Sequence, residues 1–170
     1  MDKYFILIKT SAGLLLISSD EDAITGVCFE THKRYQEILE NSQELEVPIL
    51  KDAKKQLEEY FSGNRKIFNI PLKSNGTIFQ KKVWDGLLKI PYGKILSYKD
   101  LAQNIDNIRA FRAAGNANSK NPISIIVPCH RVVGKNGTLT GYANGLDKKQ
   151  YLLNLESKFN NKANKANERN

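Results

Sequence analysis

Cys129 and His130 put a nucleophile and a base side by side in the chain. A free thiol, with an unperturbed pKa of about 8.5, is only a few per cent ionised at neutral pH. A base that takes its proton therefore turns it into an effective nucleophile. Neighbouring side chains on an extended backbone point to opposite faces, so direct contact needs a bend, for which Pro128 is suited, or a bridging water. A carboxylate can orient the imidazole, and Glu156 is a candidate. An isolated Cys-His pair is more often a buried cysteine beside a surface histidine. The second such pair, Cys28 and His32, has three residues between its members and no further Cys or His nearby. Two ligands cannot close a structural zinc site, which usually takes four, so no metal is expected. Cys28 reads as a strand residue facing the core and His32 as a surface-loop residue.

The elements that must position these groups fall into two halves. Tyr4–Lys9 and Leu14–Ser18 read as a β-hairpin, and Ile24–Phe29 as a third strand of a small antiparallel sheet. From Ile49 to Ser62 the apolar residues Leu50, Ala53, Leu57, Tyr60 and Phe61 recur at helical spacing, with Gly63-Asn64 as the stop. Ile67–Leu72 reads as a further strand and residues 73–76 as a linker. Thr77-x-x-Gln80 is a capping box that opens a helix carrying Phe79, Val83 and Leu87, and Ser97-x-x-Asp100 opens another. Asp106-Asn107 then makes a turn into a third helix over 108–119, so that a helix-turn-helix is predicted. The third helix is rich in small residues, with Ala113 and Gly115 beside Arg112. Such a helix either approaches a partner closely or packs tightly on its own core. Ile123–Val127 reads as a buried strand leading into Cys129, and the last helix starts near Asp147. The fold class is α+β, with a small N-terminal α+β domain (1–74), a mostly helical C-terminal domain (77–157) and a disordered tail (158–170).

The 26 Lys and Arg against 18 Asp and Glu give a net charge of +8 and a pI of about 9.4, a balance suited to polyanions. Two cysteines cannot make a disulfide framework, and a reducing compartment is the natural reading. The short apolar run Tyr4–Ile8 ends at Lys9, so no export signal and no membrane span is expected. The expected setting is the interior of the cell, most simply the cytoplasm.

The run Asn121-Pro122-x-x-x-x-Val127-Pro128-Cys129-His130-Arg131-Val132-Val133 resembles the active-site signature of the O6-alkylguanine-DNA alkyltransferases, the methylated-DNA–protein-cysteine methyltransferases. Upstream, Pro91-Tyr92-Gly93-Lys94, Ser97-Tyr98-x-x-Leu101-Ala102 and Arg112-Ala113-x-Gly115 continue the match. Downstream, so do Gly141-Tyr142, Gly145-Leu146 and Lys149-x-x-Leu152-Leu153-x-x-Glu156. The resemblance spans Thr77–Glu156; Phe111 and Asn144 depart from the family pattern.

This resemblance implies direct repair of double-stranded DNA carrying O6-alkylguanine, with O4-alkylthymine as a further substrate to consider. Cys129 would take the alkyl group once and keep it, with no cofactor and as a monomer. His130 would accept the thiol proton through a water, and Glu156 would fix the ring. Tyr98 would give a proton to the leaving base. Backbone groups at Cys129, Val132 and Ala143 would bond the extruded base, Tyr142 would line its pocket, and Asn121 would brace the loop. The helix bearing Arg112, Ala113 and Gly115 would enter the minor groove, with Arg112 filling the gap left by the base. A recognition module without chemistry is the alternative, and Cys129 argues against it. A cysteine hydrolase would need an oxyanion hole that the sequence does not supply.

Overall fold

The continuous apolar run at the start of Tyr4–Thr10 (β1) and the tight Ser11-Ala12 turn into Gly13–Ser19 (β2) make the first hairpin, with Thr10 paired to Gly13. Ile24–Phe29 (β3) adds an antiparallel neighbour to β2. In the computed structural model, which describes residues 1–168, a two-residue strand, Gln43–Glu44 (β4), pairs parallel to β1. The sheet order is β3-β2-β1-β4. One face is covered by Arg34–Asn41 (α1), whose Ile38 closes a small cluster with Phe5, Leu16 and Cys28. The other face takes Pro48–Phe61 (α2), with Pro48 at the first turn, where its missing N–H costs nothing, and Leu50, Ala53, Leu57 and Tyr60 all buried.

The second half is helical. Both capping boxes form: Gln80 N donates to Thr77 Oγ1 (3.2 Å) at the start of Ile78–Leu88 (α3), and Asp100 N to Ser97 Oγ (3.1 Å) at the start of Tyr98–Asn104 (α4). After a left-handed Asp106 (φ 58°) the chain makes a 3-10 turn, Ile108–Ala110, and only then the helix Phe111–Ser119 (α5). The helix predicted from residue 108 thus begins at Phe111, and α4–turn–α5 is the helix-turn-helix. Leu96–Ser97 (β5) and Val132–Val133 (β6) form a small parallel pair, and Leu146–Asn167 (α6) ends the described chain. The fold is α+β, a small sheet domain followed by a helical one. A single cluster of buried side chains runs through both, from Leu15, Val27 and Leu57 to Val83, Leu87, Leu101 and Leu152.

Four expectations are corrected. Ile67–Leu72 is irregular: Pro71 has no N–H to give a ladder, Ile67 is exposed, and only Leu72 bridges to Ile24. Ile123–Val127 is buried but is not a strand, because Ile125 takes a left-handed conformation (φ 72°) and only Ile123 pairs, with Val27. The tail is not disordered from 158, since α6 continues to Asn167 with the Phe159 ring over Gly63 and Asn160 against Gly93; residues 169–170 lie outside the described chain. His32 is buried, its Nδ1 accepting from Arg34 N (3.1 Å), rather than lying on a surface loop. Cys28 does face the core, where burial pushes its thiol up to about 12.

β3 is the outer strand of the sheet, and its free edge is occupied at Ile24 by residues 71–73 and from Val27 to Phe29 by the second half. Val27 N donates to Pro122 O (3.0 Å), Ser124 N to Val27 O (3.0 Å) and Phe29 N to Asn144 Oδ1 (2.9 Å), while Ile24 exchanges bonds with Pro71 and Lys73. The segment that leads to Cys129 is therefore seated on the N-terminal sheet. Among the described residues no helix is long and apolar enough to cross a membrane.

Candidate active site

Cys129 opens a 3-10 turn, Cys129–Arg131, directly after Pro128, and is buried. The preceding loop is held from inside by one side chain: the Asn121 amide donates to Val127 O (2.8 Å) while its Oδ1 accepts from Ile123 N (3.0 Å). These bonds hold Ile125 in a region that costs a β-branched residue on the order of 1–3 kcal/mol. Asn118 on α5 donates to Cys129 O (3.4 Å). Burial raises the thiol's pKa, against the opposing effects of Asn121, Lys149 and Ser124. The resting group is therefore a thiol, and its proton would have to leave for it to act as a nucleophile.

A candidate base follows it directly in the chain. His130 is fully buried, with Nε2 2.6 Å from Glu156 Oε1. Burial lowers the pKa of the imidazole, outweighing the pull of Glu156 toward the charged form, and Arg131 and Lys149 lower it further. A neutral ring donating from Nε2 to the carboxylate leaves Nδ1 unprotonated, and Nδ1 has no hydrogen-bond partner among the described residues. Glu156 is anchored on every side. Besides His130 it accepts from Arg131 Nε (2.9 Å) and Nη2 (3.0 Å), Tyr60 Oη (2.7 Å) and Gly93 N (3.1 Å). Burial alone would raise its carboxyl, but His130 and Arg131 together hold it well below the usual carboxylate range.

In front of the turn, Lys149 of α6 is buried and donates to Val132 O (2.5 Å) and Thr140 O (3.1 Å). Tyr98 Oη also donates to Thr140 O (3.0 Å), which ties α4 to the loop 134–145. The Tyr142 hydroxyl is buried without a partner among the described residues; burial and then the nearby Cys129 raise its pKa well above the phenol value. Ala143 is exposed. Asn144 is buried and does not take a left-handed conformation; its side chain turns away from solvent to Phe29 N and to Ser124 Oγ (2.8 Å).

α5 buries Ala114, Ala117 and Asn118 and leaves Arg112 and Ala113 outward, with Arg112 over the Phe111 ring at 5.7 Å. At Gly115 a Cβ would stand 3.3 Å from the Tyr98 ring, so the absence of a side chain lets α5 and Tyr98 approach closely. A cleft of about 300 Å3 lies between Tyr98, Arg112 and Gly115 on one wall and Thr140 and Gly141 on the other.

The structure thus brings together Cys129, His130, Glu156 and Asn121, with Val132 and Tyr142 close by. Tyr98 sits at the lip, Arg112, Ala113 and Gly115 line the outer helix, and Ala143 makes no polar side-chain contact. Sequence reasoning missed Arg131, Tyr60 and Gly93 as partners of Glu156, Lys149 as the brace of two carbonyls, and the Ser124–Asn144 pair. A buried Arg two residues beyond a reactive Cys could have pointed to a buried counter-charge; Tyr60, 96 residues from Glu156, carried no such signal.

Residues 3–74 match the family model described as 6-O-methylguanine DNA methyltransferase, ribonuclease-like domain, and residues 78–158 match its DNA binding domain. The chain is 46% identical over 153 residues to a methylated-DNA–protein-cysteine methyltransferase of Methanosarcina acetivorans, covering 90% of this chain and 97% of that one. It is also 46% identical over 156 residues to the constitutive enzyme of that name from Bacillus subtilis, with 90% and 94% covered. The crystal structure of Mycobacterium tuberculosis O6-methylguanine methyltransferase superposes with a TM-score of 0.84 at 37% identity, over 91% of this chain and 93% of that one. A structure of the M. tuberculosis protein OGT in complex with DNA superposes with a TM-score of 0.83 at 37% identity, over 92% and 94%.

Proposed function

The chain belongs to the 6-O-methylguanine DNA methyltransferase family, and from that premise we propose that it repairs DNA by moving an alkyl group from guanine O6 to Cys129, once per protein molecule. The observation that carries the assignment is the buried thiol followed directly by a neutral, Glu156-anchored His130 whose Nδ1 has no hydrogen-bond partner among the described residues. Methyl transfer between methylated DNA and a protein cysteine is the activity named for the relatives.

In this mechanism the thiol proton passes through a water to His130 Nδ1 as sulfur attacks the alkyl carbon in line. The carbon–O6 bond breaks and its electrons go to the base. Glu156 holds the imidazolium that forms, as an anchored carboxylate does for a histidine base. Guanine is a poor leaving group as an anion, and Tyr98 gives a proton to its ring nitrogen after releasing Thr140 O. The base reaches Cys129 only when turned out of the duplex, at a cost of a few kcal/mol. Arg112 fills the space it leaves, and the exposed small face of α5 lies in the minor groove. Val132, Tyr142 and Ala143 receive the base, and Asn121 keeps the loop that presents the thiol in place. The net charge of +8 supplies the salt-sensitive attraction to phosphate. O4-alkylthymine, which also presents an alkyl group on a ring oxygen, is a further substrate of this reading. A water-stable thioether on Cys129 ends the cycle, so no cofactor takes part. The site is complete within one chain, consistent with action as a monomer wherever chromosomal DNA is held, in the cytoplasm or a eukaryotic nucleus.

The test is intact-mass spectrometry after incubation with a duplex containing one O6-methylguanine. A gain of about 14 Da mapped to Cys129, at no more than one lesion per protein, is the expected result. Lesion binding by an unmodified protein would instead make it a recognition module.

A further inference from the structure

Tyr60 of α2 is fully buried, and its ring packs against Phe61, Phe68 and Tyr92 at centroid distances of 5.4, 5.6 and 6.0 Å. A phenylalanine would fill that space with no polar group to bury, so the hydroxyl has to be explained by what it touches. Its partner is Glu156 Oε1 at 2.7 Å, and beside an ionised carboxylate a phenol can only donate. Satisfying Glu156 does not require that bond. A carboxylate offers about four lone-pair sites. Arg131 Nε and Gly93 N already donate to Oε2, and His130 Nε2 and Arg131 Nη2 to Oε1. Tyr60 is a surplus donor, the third on the very oxygen that His130 uses.

We propose that Tyr60, from the N-terminal domain, is a positioning residue that holds the proton of the short His130–Glu156 bond on His130 Nε2 and keeps the resting ring neutral, with Nδ1 open to the thiol proton. The inference rests on His130 being the base of the proposed transfer. In a site without water, a carboxylate beside an imidazole is driven to take up the shared proton, because burial penalises its charge. The 2.6 Å separation leaves that proton a short way to go. Each donor on Oε1 draws off part of its negative charge and lowers its affinity for the proton. Arg131 spreads its two bonds over both oxygens, whereas Tyr60 acts on Oε1 alone. With the hydroxyl in place the carboxylate stays ionised and the Nε2–H stays on the ring. Without it Oε1 pulls harder on that proton, and the ring becomes more basic at Nδ1, so that it is already protonated at a higher pH. The N-terminal domain thereby takes part in the chemistry through one hydroxyl.

The experiment uses full-length protein in a His32→Asn background, which leaves His130 as the one histidine. Tyr60 is replaced by phenylalanine, or by 3-fluorotyrosine, a stronger donor of nearly the same shape, through codon suppression. Three quantities are measured: the Nε2–H proton resonance at neutral pH, the pH midpoint of the His130 ring nitrogen signals, and the single-turnover methyl-transfer rate against pH. Arg131, Lys149, Tyr142, Cys129 and Tyr92, with Lys66 over its ring, are the other charged or titratable groups around the pair, and all stay in place. His130 has to be neutral to act, so the loss of rate at low pH tracks its midpoint. Tyr60→Phe is expected to move the proton resonance downfield. It should move the midpoint and the acid limb of the rate profile upward by about 0.5–1 pH unit, a change of about three- to tenfold in proton affinity. The 3-fluorotyrosine protein should move all three the other way. A Tyr60 that only packs the core would lower the melting temperature and scale the rate equally at every pH. That result, or shifts of the same sign in both variants, overturns the proposal. Should Tyr60→Phe fail to fold, the 3-fluorotyrosine protein decides. If the parent moves no methyl group while the resonance and midpoint still shift, the alkyltransferase reading falls and the hold of Tyr60 on His130 stands.

Discussion

At the scale of single residues the site is organised around Glu156, a carboxylate that two cationic or proton-accepting groups share in the absence of bulk water. Arg131 neutralises it and His130 is oriented by it, so the two neighbours have separable effects. His130→Gln removes the base but leaves the Arg131–Glu156 pair intact. The single-turnover methyl-transfer rate should fall by about 10²–10³-fold, with little change in DNA affinity, as rapid-quench and binding assays will show. Glu156→Gln strands the Arg131 guanidinium in a buried site. It should destabilise the protein by about 3–5 kcal/mol, read as a lower denaturation midpoint, besides slowing transfer. Cys129, His130 and Glu156 were legible in the sequence as the proposed nucleophile, base and orienting acid because these are types that such chemistry demands. Arg131, Tyr60 and Lys149 were not, because what they satisfy is a burial condition, and burial is a property of the folded chain.

At the scale of elements, local signals were readable where a helix start announces itself. Both capping boxes appear in the structure as the sequence spells them. Helix α1 escaped notice although Tyr35, Ile38 and Leu39 have helical spacing, since it is short and carries little apolar surface. The apolar run 123–127 resembles a strand in composition, yet Asn121 bonds the loop to itself and the left-handed Ile125 prevents a ladder. The end of α6 was hidden by a composition rich in Asn and Lys, in which one aromatic residue decides the outcome. Phe159 packs over Gly63, a position with φ 80° where a Cβ would lie 2.2 Å from the ring. Phe159→Ala should cost about 1–2 kcal/mol, less than the loss from a fully buried site because the ring is only half-buried, and should fray α6 beyond Ser157. Thermal unfolding and amide exchange of the last turns check this.

For the whole molecule, acid stability follows from its two histidines, both buried and both held below the usual imidazole range. For His32 burial is the main cause, with Arg34 and Lys33 adding to it, and the shift is from 6.5 to about 4. The folded state therefore resists a proton that the unfolded chain accepts, so stability is full above 6.5 and is lost as pH falls toward 4. The contribution of His32 is at most about 3 kcal/mol. His32→Asn keeps an acceptor for Arg34 N and should flatten the fall in melting temperature across that window, leaving the part due to His130. The halves were legible as two units, but the shared core and the seating of the active-site segment on β3 were not, because no local pattern marks which partner a strand edge will take. That edge also bears on evolution and handling. A sheet whose outer strand is completed by another part of the same chain is, once cut from it, an unpaired template. Residues 1–74 made alone should self-associate through β3, as concentration-dependent sedimentation would show, and should return to a single species when residues 75–170 are supplied in trans. Selection on such a chain would act against separating or shuffling its two halves, since either alone carries a liability that only the other removes.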